Sequence, residues 1–201
     1  SKTETGWAVL KEQPLLKRIV LGFAAVNFFA TPTLVVLPVY VKRVLGASAQ
    51  TLGLLEAGLW VGLILGALVA KKIHGDKLRV GSVCISIFGL ALAVPGIVTS
   101  FAVYWVALFF AGLSLGINNA KFMNFFQESV PAALKGRFFA LMQALLGCTF
   151  PIAYFLFGVL TDVMNPGLVC LIQGGGVVLL SGYFFYLSSE KPKDSLMGGI
   201  A

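Results

Sequence analysis

Asn118, Lys121, Asn124 and Gln127 stand three residues apart in an otherwise apolar stretch, with Asn119 beside the first of them. The surrounding run, Gly112 to Arg137 (GLSLGINNAKFMNFFQESVPAALKGR), begins greasy, gains amides and a charge, and ends in a basic loop. On a helix, a spacing of three makes one slowly rotating stripe, with Phe122, Met123, Phe125 and Phe126 on the other side. Amides and an ammonium can bind a polar ligand or hold water. Inside a membrane helix such a stripe is costly unless it faces protein, water or a ligand. Glu128 marks the inner end of this helix, so Lys121 lies about 10 Å deeper at about 1.5 Å per residue. The lysine stem covers roughly half of that depth, so snorkelling relieves the charge only in part. Water, an acidic partner or loss of the proton must supply the rest. A hydrated, inward-facing cavity is the favoured solution, ahead of a shallow snorkelling lysine.

The remaining chemical groups are scattered. The first apolar run carries Asn27, Thr31, Pro32 and Pro38. Proline removes a donor and clashes with the preceding turn, so this helix should kink or open. Such a break either exposes binding groups or simply packs, with Asn27 bonded to backbone. Glu56 lies about one turn inside the outer end of the second run. It is either a proton-coupling carboxylate or an interfacial acid paired with Lys42 or Arg43. In the fifth run Gln143 sits two turns in, Pro151 should kink the middle, and Asp162 ends the helix within reach of Lys42 or Arg43. Cys84, Cys148 and Cys170 lie in apolar runs without paired spacing and read as packing residues. His74, the one histidine, falls in a charged loop and reads as solvated. The helices carry no Ser–Lys or Ser–His pair, no paired acids and no metal-ligand cluster. That argues against an enzyme, and it implies no cofactor.

The elements that position these groups follow from composition. Hydrophobic residues make up 58% of the chain and charged residues 11%, well below the share in soluble domains. Apolar runs near 19–41, 52–70, 80–98, 102–126, 138–161 and 167–187 are each long enough to cross a bilayer. Backbone groups in lipid must be satisfied within the segment, so the expected fold is all-α, with six transmembrane helices. The formal charge of +7 suits topology rather than nucleic acid. Lys2, Lys11, Lys17 and Arg18 precede the first span; Lys71, Lys72, Lys77 and Arg79 follow the second. Lys135 and Arg137 follow the fourth, and Lys191 and Lys193 follow the sixth. The positive-inside rule therefore puts both termini in the cytoplasm. The expected organisation is a cytoplasmic lead-in over 1–18 with Trp7 as interfacial anchor, a bundle over 19–188, and a disordered cytoplasmic tail over 189–201. No signal peptide is recognisable and the first residue is not Met, which fits a fragment or a processed product.

Gly58, Gly62 and Gly66 recur every four residues in the second span and predict close helix contact. The third span is nearly featureless and reads as a peripheral support. Gly174 to Gly176 in the sixth suggest a close approach or a soft spot. Leu54-Leu55-Glu56-Ala57 and Leu141-Met142-Gln143-Ala144 match early in the second and fifth spans, suggesting a three-plus-three inverted repeat.

Pro14-Leu15-Leu16-Lys17-Arg18, LGLLEAGLWVGLILGALVA and NFFQESVPAALKGRFFALMQALLG, in this order, resemble the C-terminal six-helix half of a major facilitator superfamily transporter. The nearest type is bacterial drug and macrolide efflux, and the resemblance covers about residues 10–188. Gly62 and Gly66 fit the glycines of the superfamily's loop signature, and Lys71, Lys72, Asp76, Lys77 and Arg79 supply its charge. Lys71 and Lys72 stand where that signature has an Asp. The resemblance implies a proton-coupled exporter of a small molecule, working by alternating access in a bacterial cytoplasmic membrane. Asn27, Thr31, Asn118, Asn119, Lys121, Asn124 and Gln143 would line the substrate pathway, and Arg137 and Asp162 would join the loop and gate charges. The first and fourth spans would line the cavity, the second and fifth would meet an N-terminal six-helix half, and the third and sixth would face lipid. That half would come from the same chain or a partner chain. A membrane scaffold, or a standalone half that dimerises, is the competing reading. Aromatic and Met residues near the stripe suit a bulky apolar or cationic molecule, whereas Lys121 disfavours a cation.

Overall fold

The computed structural model describes residues 13–197; Trp7 and the first twelve positions lie outside the described residues. Among the described residues every regular element is helical. The order is α1 (Pro14–Ala30), α2 (Thr33–Arg43), α3 (Ala49–Val69), α4 (Lys77–Ala93), α5 (Phe101–Ser129), α6 (Lys135–Val163) and α7 (Pro166–Met197). Short 3-10 turns at Ala70–Lys72, Val94–Gly96 and Ala132–Leu134 join them. Together α1 and α2 form the first of six helical stretches long and apolar enough to cross a membrane. Two element ends differ from the lengths of the apolar runs. Helix α1 starts at Pro14, inside the stretch read as lead-in, with proline at the helical start where its missing donor costs nothing. Helix α7 continues to Met197, past the position where the tail was expected to begin. The physical reason is common to both ends: an apolar run measures hydrocarbon thickness, whereas a helix bonds its own backbone and continues into the polar interface. Arg18 and Glu190 pair with each other at 2.8 Å.

The first span breaks at Thr31-Pro32. Pro32 has no N–H, Thr31 Oγ1 donates back to the Asn27 carbonyl at 2.7 Å, and the Phe29 carbonyl accepts from Gln173 Nε2 at 3.0 Å. Pro38 and Pro151, by contrast, lie within helices that run on through them.

Helix α3 packs on α5 through glycine. A Cβ at Gly62 would lie 2.1 Å from the Phe109 carbonyl oxygen, and one at Gly66 2.1 Å from that of Leu113. The contact is reciprocal: a Cβ at Gly112 would lie 1.9 Å from the Leu59 oxygen, and one at Gly116 2.2 Å from that of Leu63. Gly58 lies against the Trp105 side chain instead. Small faces allow backbones to approach closely in lipid, where no hydrophobic effect drives helices together.

Helix α4 corrects the picture of a peripheral third span. It is the most enclosed of the six, with 56% of its most apolar window buried, against 17% for the fifth. Its small residues explain this: Gly81 meets the Phe122 ring, Gly89 lies against the backbone of α7, and Ser86 donates to Ser181 at 2.9 Å. Val83, Ile87 and Leu90 keep one stripe exposed. Two aromatic-rich clusters fill the bundle. Toward the end that carries Arg18 and Glu190, labelled inner after the positive-inside expectation (the opposite end being labelled outer), Phe23, Phe122, Phe126 and Phe184 pack together, with Phe23 and Phe122 centroids 4.3 Å apart. Toward the outer end Tyr40, Tyr104 and Phe157 form the second cluster, and the Tyr40 hydroxyl donates to the Pro95 carbonyl at 2.7 Å.

Candidate functional site: an inner recess between α3 and α5

Three-residue spacing turns a stripe back by about 60° at each step, because three residues complete only about 300° of helix. The stripe of α5 therefore divides. Asn118 is 4% exposed and lines a small cavity of about 10 Å³ with Val26, Cys84, Ile85, Phe88, Ser114 and Leu115. That volume suits one water molecule. Asn118 Oδ1 accepts no hydrogen bond from the described residues. Asn119, Asn124 and Gln127 are exposed, and Lys121 is half-buried between them.

Lys121 and Asn124 open onto a recess of about 420 Å³ between the inner ends of α3 and α5, shared with Ala67, Ala70, Lys71, Ala120 and Met123. Met123 thus stands with the polar residues, while Phe122, Phe125 and Phe126 are buried on the core side. The Lys121 ammonium donates to the Ile73 carbonyl at 2.5 Å. This is a fourth way to relieve its charge, besides water, an acid or proton loss: a backbone carbonyl of the loop that follows the second span. Ala70 and the short turn Ala70–Lys72 bring that loop over the end of α5. Two acids of this end have other partners among the described residues. Asp76 Oδ1 caps α4, accepting from the N–H groups of Leu78 (2.9 Å) and Arg79 (3.1 Å), and Glu128 pairs with Lys77.

The other anticipated residues do not join this recess. Asn27 Nδ2 donates across to α6, to Thr149 Oγ1 at 2.7 Å and the Leu146 carbonyl at 3.3 Å. Thr31 is spent on its own helix. Gln143 is exposed on α6, and Glu56 is half-buried on α3. Glu56 takes no part in the ion pairs among the described residues, which are Arg18–Glu190, Arg43–Asp162 and Lys77–Glu128. At the outer end Arg43 reaches α6 twice, donating to the Thr161 carbonyl at 2.7 Å and to Asp162 Oδ1 at 3.2 Å. Lys71, Lys72, His74 and Arg79 are exposed at the inner end, and Arg137 is exposed at the start of α6.

Several participants escaped the sequence reading. Gly112 and Gly116 carry a four-residue spacing that matches the glycines of α3, and that signal was legible. Thr149, the Ile73 carbonyl and Gln173 carry no local signal, because their roles depend on which helices become neighbours.

No curated protein matches the chain in comparison with characterised sequences. The family model of the Major Facilitator Superfamily matches residues 1–153, three-quarters of the sequence and every element from α1 through most of α6. With its helical spans and polar inner recess, the chain is an integral, multi-pass membrane protein and belongs to the major facilitator superfamily of transporters.

Proposed function

We propose that the chain is the C-terminal six-helix half of a secondary transporter of the bacterial drug and macrolide efflux type. It exports a small molecule by alternating access and draws on the proton gradient, with both termini cytoplasmic. The observation that carries the reading is the recess at Lys121 and Asn124. A half-buried ammonium on a membrane helix, with an open recess beside it, suits a route for polar solutes better than a packing surface. The family contributes the mechanism, and the exposed apolar side of α6 (Phe150, Ile152, Phe155, Leu156 and Val159) fits contact with a second half. Glu56 is the coupling residue of this reading, since it lies within a span and outside the ion pairs of the described residues.

The test is export of accumulated fluorescent probes from cells that express the complete gene product and lack other efflux pumps. Export that a protonophore abolishes, and that Glu56→Gln also abolishes at normal expression, is the expected result. Export indifferent to the protonophore removes proton coupling. No movement of any apolar, cationic or anionic probe removes efflux.

A further inference from the structure

The recess between α3 and α5 is lined by two lysines and, among the described residues, by no acidic residue. Lys121 and Lys71 both line it, together with the amide of Asn124. An ammonium has three N–H donors, and Lys121 gives one to the Ile73 carbonyl. Among the described residues, Glu128 pairs with Lys77, Glu190 pairs with Arg18, and Asp76 Oδ1 accepts from the backbone at the N-terminus of α4. Two lysines on the wall of one partly enclosed space favour an anion there, which accepts charge-assisted hydrogen bonds from ammonium groups. The rest of the lining is apolar, with Ala67 and Ala70 beside Lys71 and with Ala120 and Met123 beside Lys121 and Asn124. A group of mixed character therefore fits better than a bare inorganic ion.

We propose that this recess is an oxyanion site, which takes the phosphate or carboxylate of an amphipathic anion on Lys121, Lys71 and Asn124. The proposal rests on the reading of the recess as an inward-open part of the transport route, and it adds the class of group that enters. Two sources carry this chemistry: a soluble amphipathic anion moving along the route, and an anionic lipid whose headgroup lies at the cytoplasmic interface.

The experiment titrates octyl phosphate into the complete gene product in dodecyl maltoside and follows thermal unfolding, with octyltrimethylammonium as the cationic control. Octyl phosphate should raise the midpoint saturably, and the cation should not. Lys121→Gln should weaken binding about tenfold or more, whereas Lys121→Arg and the outer-side Lys42→Gln should stay within about threefold. If Lys121→Gln fails to fold, Lys71→Gln serves in its place and should weaken binding by about threefold or more. Competition by short-chain phosphatidylglycerol, with none by phosphatidylcholine, assigns the site to a lipid headgroup. No competition by either assigns it to soluble anions, and both results uphold the oxyanion site. Equal stabilisation by the cation, or unchanged affinity in the Lys71→Gln/Lys121→Gln double variant, overturns it. Lys121→Cys separates the two proposals. Labelling of Lys121→Cys from the cytoplasm, with no octyl phosphate binding by the wild type, overturns the oxyanion site alone, whereas an inert Lys121→Cys overturns the pathway reading whatever the wild type binds.

Discussion

Pro32 has no N–H to give the preceding turn, and the helical ladder of the first span is interrupted from there to the start of α2, so carbonyls of the last turn of α1, that of Phe29 among them, need donors from elsewhere. The Phe29 carbonyl finds one in Gln173, which is 2% exposed on α7. Gln173→Leu keeps much of the volume but orphans that oxygen, and should cost about 1–3 kcal/mol in unfolding from detergent. An unchanged unfolding midpoint would show that the oxygen finds another donor. At the outer end the Arg43–Asp162 pair is open to solvent, with side chains 51% and 72% exposed. Asp162→Asn should therefore change stability by less than about 1 kcal/mol. Arg43→Met should cost more, because the Thr161 carbonyl also loses its donor. If Asp162→Asn abolishes transport while stability is kept, the pair is a gate that closes in another state. At this scale the sequence was only partly readable. The types at Asn118, Lys121 and Asn124 announced a polar site, but their backward drift of about 60° per step meant that one spacing served two environments. Nothing near Gln173 indicates that it faces a proline break 144 residues away.

Between elements, the seam of α3 and α5 is built from glycines on both sides, and it tolerates no side chain on the contact line. Gly62→Ala forces a Cβ to within 2.1 Å of a backbone oxygen that cannot rotate away, so the two helices must separate along the seam. Gly53→Ala is the matched control, since nothing lies within 4 Å of its Cβ position in the same helix. Gly53→Ala should be neutral or stabilising by about 0.5–1 kcal/mol, through loss of backbone freedom in the unfolded chain. Gly62→Ala should lower the unfolding midpoint clearly, and Gly62→Leu should prevent folding. Equal midpoints for Gly53→Ala and Gly62→Ala would place the Gly62 face against lipid. The four-residue period of Gly58, Gly62 and Gly66 made this face visible in the sequence, though not the identity of its neighbour. The enclosed position of α4 was not visible, because Gly81, Ser82, Ser86 and Gly89 look featureless until two helices close on them.

For the molecule as a whole, six apolar stretches, separated by loops whose basic charge alternates with parity, made the membrane class and the all-helical fold readable from residue types alone. Helix neighbours were less readable, since lipid-facing and helix-facing apolar side chains are chemically alike. The central proposal joins the scales: a half-buried lysine on α5, placed by a glycine seam and a loop carbonyl, is proposed to open to cytoplasmic water. Its most direct test is labelling of Lys121→Cys with a small membrane-impermeant thiol reagent, in a Cys148→Ser background, because Cys148 is exposed while Cys84 and Cys170 are buried. Rapid reaction in inside-out vesicles and slow reaction in right-side-out vesicles is the predicted result. Inertness from both sides, in protein that is folded and inserted, would contradict the account and make the polar residues of α5 a packing feature.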